Sequence, residues 1–154
     1  MLLLSLYRVS HKLYRMKIPL VPKLLYYISY ILFNSSVPPS CSIGKGTKFA
    51  YGGIGVVIHA NAKIGSNCII GQGITIGGKT GHNGVPEIGN NVYIAAGTRI
   101  IGNVKINNNV VIGCNSVVLQ DIPEKSVAAG VPAKVIHTNV DVNKYANFPH
   151  HVID

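Results

Sequence analysis

Aliphatic residues recur at every sixth position over a long middle stretch of the chain: Ile58, Ile64, Ile70, Ile76, then Ile88, Ile94, Ile100, Ile106, Ile112 and Val118. Gly often follows, as at Gly65, Gly71, Gly77, Gly89 and Gly113. A period of six matches neither the 3.6 residues of a helix nor the two of a simple strand. It does match a chain that turns a corner after each short strand, and an internal repeat outranks local propensity in deciding the fold. The expected fold is all-β: a parallel β-helix with three hexads in a coil of roughly 18 residues. Ala62, Cys68, Thr98, Val104, Val110 and Ser116 stand four places after ladder residues and should fill the inside of the corners, with Ile74 and Val92 as bulkier occupants. Positive φ is cheap for Gly and Asn, so the glycines, with Asn61, Asn67, Asn91, Asn103 and Asn109, are expected to serve the turns.

The repeat breaks twice. Ile43 and Phe49 begin it, but Ile58 follows nine places later, a slip of three residues at AYGGIG (50–55). The segment GGKTGHNGVPE (77–87) then interrupts it where position 82, a ladder position, is His. Interruptions of a strict repeat are where a site is expected.

The stretches GIGVVIHANAKIGSNCIIGQGITIGG, VPEIGNNVYIAAGTRIIGNVKI and VVIGCNSVVLQDIPEKSVAAGVPAKVI resemble the hexapeptide-repeat acyltransferases, and within them the serine acetyltransferases and the related O-acetyltransferases of bacterial polysaccharide synthesis. The match covers most of residues 40–136. It implies a left-handed β-helix, a homotrimer whose flat faces pack together, and acetyl-CoA as acyl donor. On this basis the chain divides into a helical N-terminal segment (1–36), a β-helix (40–136) and a tail (137–154).

Fourteen Lys and Arg face five Asp and Glu, and no acidic residue precedes Glu87. Such a surface attracts anions. Nucleic acid is not expected, since no basic run interleaves with aromatics and no binding motif is present. Three cysteines without CxxC spacing imply neither a disulfide framework nor zinc, and suit a reducing cytoplasm. Residues 1–17 place their cations behind the apolar cluster, unlike a signal peptide. Leu2, Leu6, Val9, Leu13 and Met16 have helical spacing, Pro19 and Pro22 end that helix, and Lys23–Phe33 reads as a second. The two should cap the first coil and pack against neighbouring subunits. Residues 1–33 also suit peripheral contact with the inner face of the cytoplasmic membrane. AAGVPAKVI is expected to leave the β-helix as an extended strand.

His59 follows the inward Ile58, so it should look outward, and an imidazole with an ordinary pKa near 6.5 suits a general base. An ordinary surface histidine is the competing reading. The resemblance implies a His that deprotonates the acceptor hydroxyl for attack on the thioester. It departs at one point: the catalytic His of serine acetyltransferases falls near Tyr51-Gly52, behind an Asp, whereas no carboxylate precedes Glu87 here. His59 would then need a backbone carbonyl, or a group from another coil or subunit, to orient it. His82 in the interrupting loop is the rival base, with Tyr51 and Asn83 as candidates to hold the acceptor. Backbone N–H groups at Gly77 and Gly78 are candidates for an oxyanion site. For CoA the resemblance points to Ala96, Cys114 and Lys134, with Arg99 near the phosphates.

The sequence therefore suggests an acetyl-CoA-dependent O-acetyltransferase. A sugar hydroxyl of capsule or O-antigen is the favoured acceptor, because the large helical N-terminal domain and the usual C-terminal ending of serine acetyltransferases are not found. L-Serine is the alternative. A non-catalytic scaffold, or a metal enzyme like the γ-type carbonic anhydrases, stands behind them. The latter needs three converging histidines, and the ladder offers His59 and His82, with His137, His150 and His151 beyond it. No metal is expected.

Overall fold

The computed structural model describes residues 2–145. His150 and His151 lie outside them. The chain starts with α1 (Leu2–Arg15) and α2 (Val21–Phe33). Four coils follow, each of three short strands: β1 (Ser42–Ile43), β2 (Lys48–Phe49) and β3 (Val57–Ile58); β4 (Lys63–Ile64), β5 (Ile69–Ile70) and β6 (Thr75–Gly77); β7 (Glu87–Ile88), β8 (Tyr93–Ile94) and β9 (Arg99–Ile101); β10 (Lys105–Ile106), β11 (Val111–Ile112) and β12 (Val117–Val118). Each strand pairs in parallel with its counterpart in the next coil, giving three sheets that are the faces of a prism. The first face is β1-β4-β7-β10, the second β2-β5-β8-β11, and the third β3-β6-β9-β12.

The sixfold ladder is the interior. Every aliphatic from Ile58 to Val118 in the repeat is at most 5 % exposed, as are Ile43 and Phe49. Register shows where the extra residues go: Ile88 pairs with Ile106, 18 places on, but Ile43 pairs with Ile64 and Ile64 with Ile88, 21 and 24 places on. The three-residue slip closes as a tight turn at Ala50–Gly53 between the second and third faces. The six-residue excess emerges as a loop between the third face and the first, after β6. The corner fillers Ala62, Cys68, Thr98, Val104, Val110 and Ser116 are buried as expected. The thiol of Cys68 donates to Gly89 O at 3.2 Å, and Thr98 Oγ1 donates to Ala95 O at 2.7 Å, so these small polar groups satisfy carbonyls at the bends.

Turn chemistry differs from expectation in an instructive way. The glycines that follow ladder residues do not have positive φ; a Cβ on Gly65 would lie 2.4 Å from Gly89 O, and one on Gly71 2.7 Å from Ala96 N. Gly65, Gly71 and Gly89 are glycine because the next coil's backbone lies against them; Gly113 meets the Ala129 side chain, and at Gly77 an added Cβ meets only side chains at 3.6 Å or more. Positive φ falls two places later, at Gly46, Asn67, Asn91, Asn109 and Lys125 on the first corner and at Gly52, Gly73, Gly97 and Asn115 on the second. Asn61 and Asn103, on the third corner, are not among the positive-φ residues, so that corner turns by another geometry.

The ends of the prism are covered. Tyr7 Oη donates to Cys41 O at 2.7 Å, and the Arg8 guanidinium donates to Ile43 O and Gly44 O, carbonyls at the open edge of the first coil. Burial pushes the Cys41 thiol up to about 12. At the other end AAGVPAKVI does not simply leave the β-helix. β13 (Ser126–Gly130) extends the second face in parallel with β11, and β14 (Ala133–Thr138) folds back antiparallel on it. The start of the expected tail returns over that face, burying Val142 beside Val111 and Val127.

Candidate active site

The loop after β6 stands over the third corner and makes a cleft of about 400 Å³ there, lined by His59, Asn61, Gly78, Thr80, His82 and Asn83 among others. β3 delivers His59: Ile58 faces the core, the His59 amide bonds Ile76 O at 2.8 Å, and the half-buried side chain emerges where the face ends. Gly78 lies beside the imidazole, since a Cβ there would sit 3.9 Å from His59 Cδ2. His82 is held by its own amide, which bonds Lys79 O at 3.1 Å. Thus the two histidines proposed from sequence border one cleft within a single chain.

The partner of His59 has the opposite polarity to the one expected. Asn61 N–H donates to His59 Nδ1 at 3.1 Å. A backbone amide can only donate, so Nδ1 is the acceptor and the neutral ring carries its proton on Nε2. His59 therefore presents an N–H to the cleft. His82 has no ring hydrogen bond among the described residues, which leaves a nitrogen lone pair available.

Above the loop a second cleft of about 480 Å³ shares Lys79, His82 and Asn83 with the first and adds Ile101, Asn103 and Leu119. Gly84 rests on Asn103, where a Cβ would meet that side chain at 2.6 Å. Lys79 borders both clefts, yet it was not singled out from sequence; its place in the interrupting loop was the available signal. The sequence marks Asn61 only as a turn residue, and nothing in the repeat reveals its amide contact.

The remaining predicted residues lie elsewhere. Tyr51, with φ of 50°, is on the second corner and is not among the cleft residues. Ala96 and Cys114 occupy that same corner in successive coils, Cys114 exposed and Ala96 half-exposed. Arg99 donates through Nη1 to Gly73 O, Gly97 O and Thr98 O, clamping the corner's backbone. Gly77 ends β6 in register with Ile101. Lys134 is exposed on β14, on the second face. One chain therefore holds its histidines on the third edge of the prism and the residues assigned to CoA mostly on the second.

Residues 86–120 match the family model for bacterial transferase hexapeptide (six repeats). Over 133 residues the chain is 40 % identical to a serine acetyltransferase of Synechococcus elongatus, covering 85 % of this chain and 54 % of that protein. Among solved structures it is similar to a serine acetyltransferase from Brucella abortus strain S19 in complex with Coenzyme A, with a TM-score of 0.83 and 30 % identity over 88 % of this chain and 54 % of that one. It is also similar to soybean serine acetyltransferase complexed with serine, with a TM-score of 0.82 and 36 % identity over 88 % of this chain and 56 % of that one. The chain spans about half the length of these proteins.

These likenesses overturn the preference for a capsule or O-antigen sugar and favour the alternative, L-serine. That preference rested on segments flanking the β-helix, and among the described residues none of those segments lines either cleft. The fold is the left-handed β-helix of those structures, and the chain belongs to the hexapeptide-repeat acyltransferase superfamily, where it is serine acetyltransferase-like.

Proposed function

We propose that the protein is a serine O-acetyltransferase that moves the acetyl group of acetyl-CoA to the hydroxyl of L-serine. The observation that carries this reading is the convergence of His59 and His82 on one cleft beside Gly78, on a scaffold 40 % identical to a serine acetyltransferase. The His82 ring removes the hydroxyl proton as the serine oxygen attacks the thioester carbonyl carbon. The C–S bond then breaks, the proton passes from His82 to the departing thiolate, and O-acetylserine and CoA result. His59 Nε2–H and the Gly78 amide border the cleft where the developing oxyanion needs donors. No acyl-enzyme is required.

The working unit is a homotrimer. A groove shared by adjacent copies brings the second edge of one, with Ala96 and Cys114, against the third edge of the next, with the histidines. Val57 and Leu119, exposed on the third face at 43 % and 52 %, suit burial there. Lys79, at the cleft, and Lys134 are the cations for the CoA phosphates, and use of acetyl-CoA places the reaction in the cytoplasm.

Thiol release from acetyl-CoA with L-serine tests the reading. His82→Ala lowers kcat by about 10²- to 10⁴-fold, the usual contribution of a general base. His59→Gln keeps an N–H donor near the position of Nε2 and stays within about tenfold of the parent, whereas His82→Gln does not. Large loss in His59→Gln with activity retained in His82→Ala would reverse the two roles. Absence of serine-dependent release in the parent would refute the function.

A further inference from the structure

Both N-terminal helices leave large apolar side chains exposed. The stripe of α1 with regular helical spacing is turned largely away from the coil: Leu2, Val9 and, just past the helix, Met16 are 61 %, 52 % and 60 % exposed and Leu6 and Leu13 are half-buried, while Leu3, Tyr7 and Ser10 are buried. In α2 the buried residues are Pro22 and Ser29, and Leu24, Ile31 and Leu32 are exposed at 59 %, 78 % and 63 %. Both serines are satisfied within the helical pair, Ser10 Oγ donating to Pro22 O and Ser29 Oγ to Leu25 O, each at 2.9 Å. Each helix thus buries a serine while leaving several large apolar side chains exposed, and such exposed apolar surface marks an interaction site.

Charge decides what covers it. Lys12, Arg15, Lys17 and Lys23 lie on or between these helices, and no carboxylate occurs before Glu87. Arg8 is already committed to Ile43 O and Gly44 O. A second copy meeting this surface face to face would bring two sets of cations together with no acid from either segment to pair them. An anionic bilayer presents the complementary sign and accepts the apolar side chains as well. Tyr14, Tyr27 and Tyr30, about half exposed, are the residue type enriched at the headgroup level. Lys23 stands 6.0 Å from the Tyr27 ring centroid, so its stem and the ring share one apolar surface below the charge. No helix among the described residues is long and apolar enough to cross a membrane. At about 1.5 Å per residue the 13 residues of α2 reach about 20 Å, against a hydrocarbon core of about 30 Å.

We propose that α1 and α2 form an interfacial anchor that lays the protein on an anionic phospholipid surface, with α2 in the plane of the headgroups and Lys12, Arg15, Lys17 and Lys23 on the lipid phosphates. This does not depend on the acceptor or on the transferase reading. The test is co-sedimentation of the full chain with vesicles of phosphatidylcholine alone and with about 30 % phosphatidylglycerol added. Binding to the anionic vesicles exceeds binding to the neutral ones at least tenfold and falls with added salt. Lys12→Glu combined with Arg15→Glu lowers it roughly tenfold or more, and Ile31→Glu does so through the apolar half of the contact, with far-UV circular dichroism unchanged in both. Equal binding to the two vesicles, no binding to either, or binding unaffected by both variants overturns the proposal. So does an assembly in solution that Ile31→Glu dissociates without vesicle binding in the parent, because the surface would then be a contact between copies.

Discussion

Replacing Gly65 by Ala separates two reasons for glycine in this repeat. The added Cβ would stand 2.4 Å from Gly89 O and 2.6 Å from Gly89 C, where ordinary contact begins at 3.4 Å. The second and third coils must therefore part by about 1 Å at that corner, and the obstructing atoms are backbone, which cannot rotate away. A separation of that size stretches the bond from Gly65 N to Ile88 O, now 2.9 Å, and that from Ser66 N to Asn90 Oδ1, now 2.8 Å, beyond useful length. Overpacking costs about 1–3 kcal/mol and two weakened bonds about 0.5–1.5 kcal/mol each, so the substitution costs about 2–6 kcal/mol. Gly73 is the contrast: its φ is +64° with nothing within 4 Å of an added Cβ. Gly73→Asn, in a conformation that Asn accepts, costs less than about 1 kcal/mol. With a urea slope of about 2 kcal/mol per molar, the unfolding midpoint followed by circular dichroism falls by roughly 1–3 M for Gly65→Ala and by less than about 0.5 M for Gly73→Asn. Equal shifts, or a larger one for Gly73→Asn, would refute the claim that close approach of coils, and not backbone freedom, selects glycine at Gly65, Gly71 and Gly89.

Two further outcomes follow from the edges of the prism. Sedimentation velocity of the full chain gives a trimer, and charge placed on the third face by Leu119→Glu lowers its stability at micromolar protein; a monomer with full activity would contradict the shared groove. Of the three thiols, only Cys114 is exposed, so one equivalent reacts quickly with an aromatic disulfide reagent in the native protein and two more only on unfolding. Saturating CoA slows that first reaction at least tenfold if Cys114 lines the groove, and an unchanged rate would remove it from the CoA site.

The depth of each side chain was legible because a period of six fixes which residue faces the axis, and Ile58 through Val118 all lie inside. The two breaks in the period were legible for the same reason, and the second carries the loop that makes the clefts. What the period does not encode is contact between coils. Gly65 and Gly73 look alike as letters, yet one is set by a neighbour's carbonyl and the other by its own torsion. His59 was found because it follows Ile58, but the donor at Asn61 is a backbone group that no side-chain pattern reveals. Which side of α1 meets the coil was not legible, because helical spacing marks an apolar face without saying what covers it; the coil end took Leu3 and Tyr7.

The placement of residues on edges also constrains how the site assembles. A triangular solenoid carries any given hexad position up one edge, so residues at equivalent positions in successive coils stack, as Ala96 and Cys114 do. The histidines are reached only after another strand, Val57–Ile58, which turns the chain to the next edge. No loop movement of the length seen at 77–87 carries them around a face whose strands β3, β6, β9 and β12 are hydrogen-bonded into a sheet. If the groove at Ala96 and Cys114 receives the thioester, the imidazoles that act on it therefore come from a neighbouring copy, and each site in the trimer draws on two chains. Mixing subunits that carry His82→Ala with subunits blocked at Cys114 would then restore some sites with both intact halves, which neither variant forms alone.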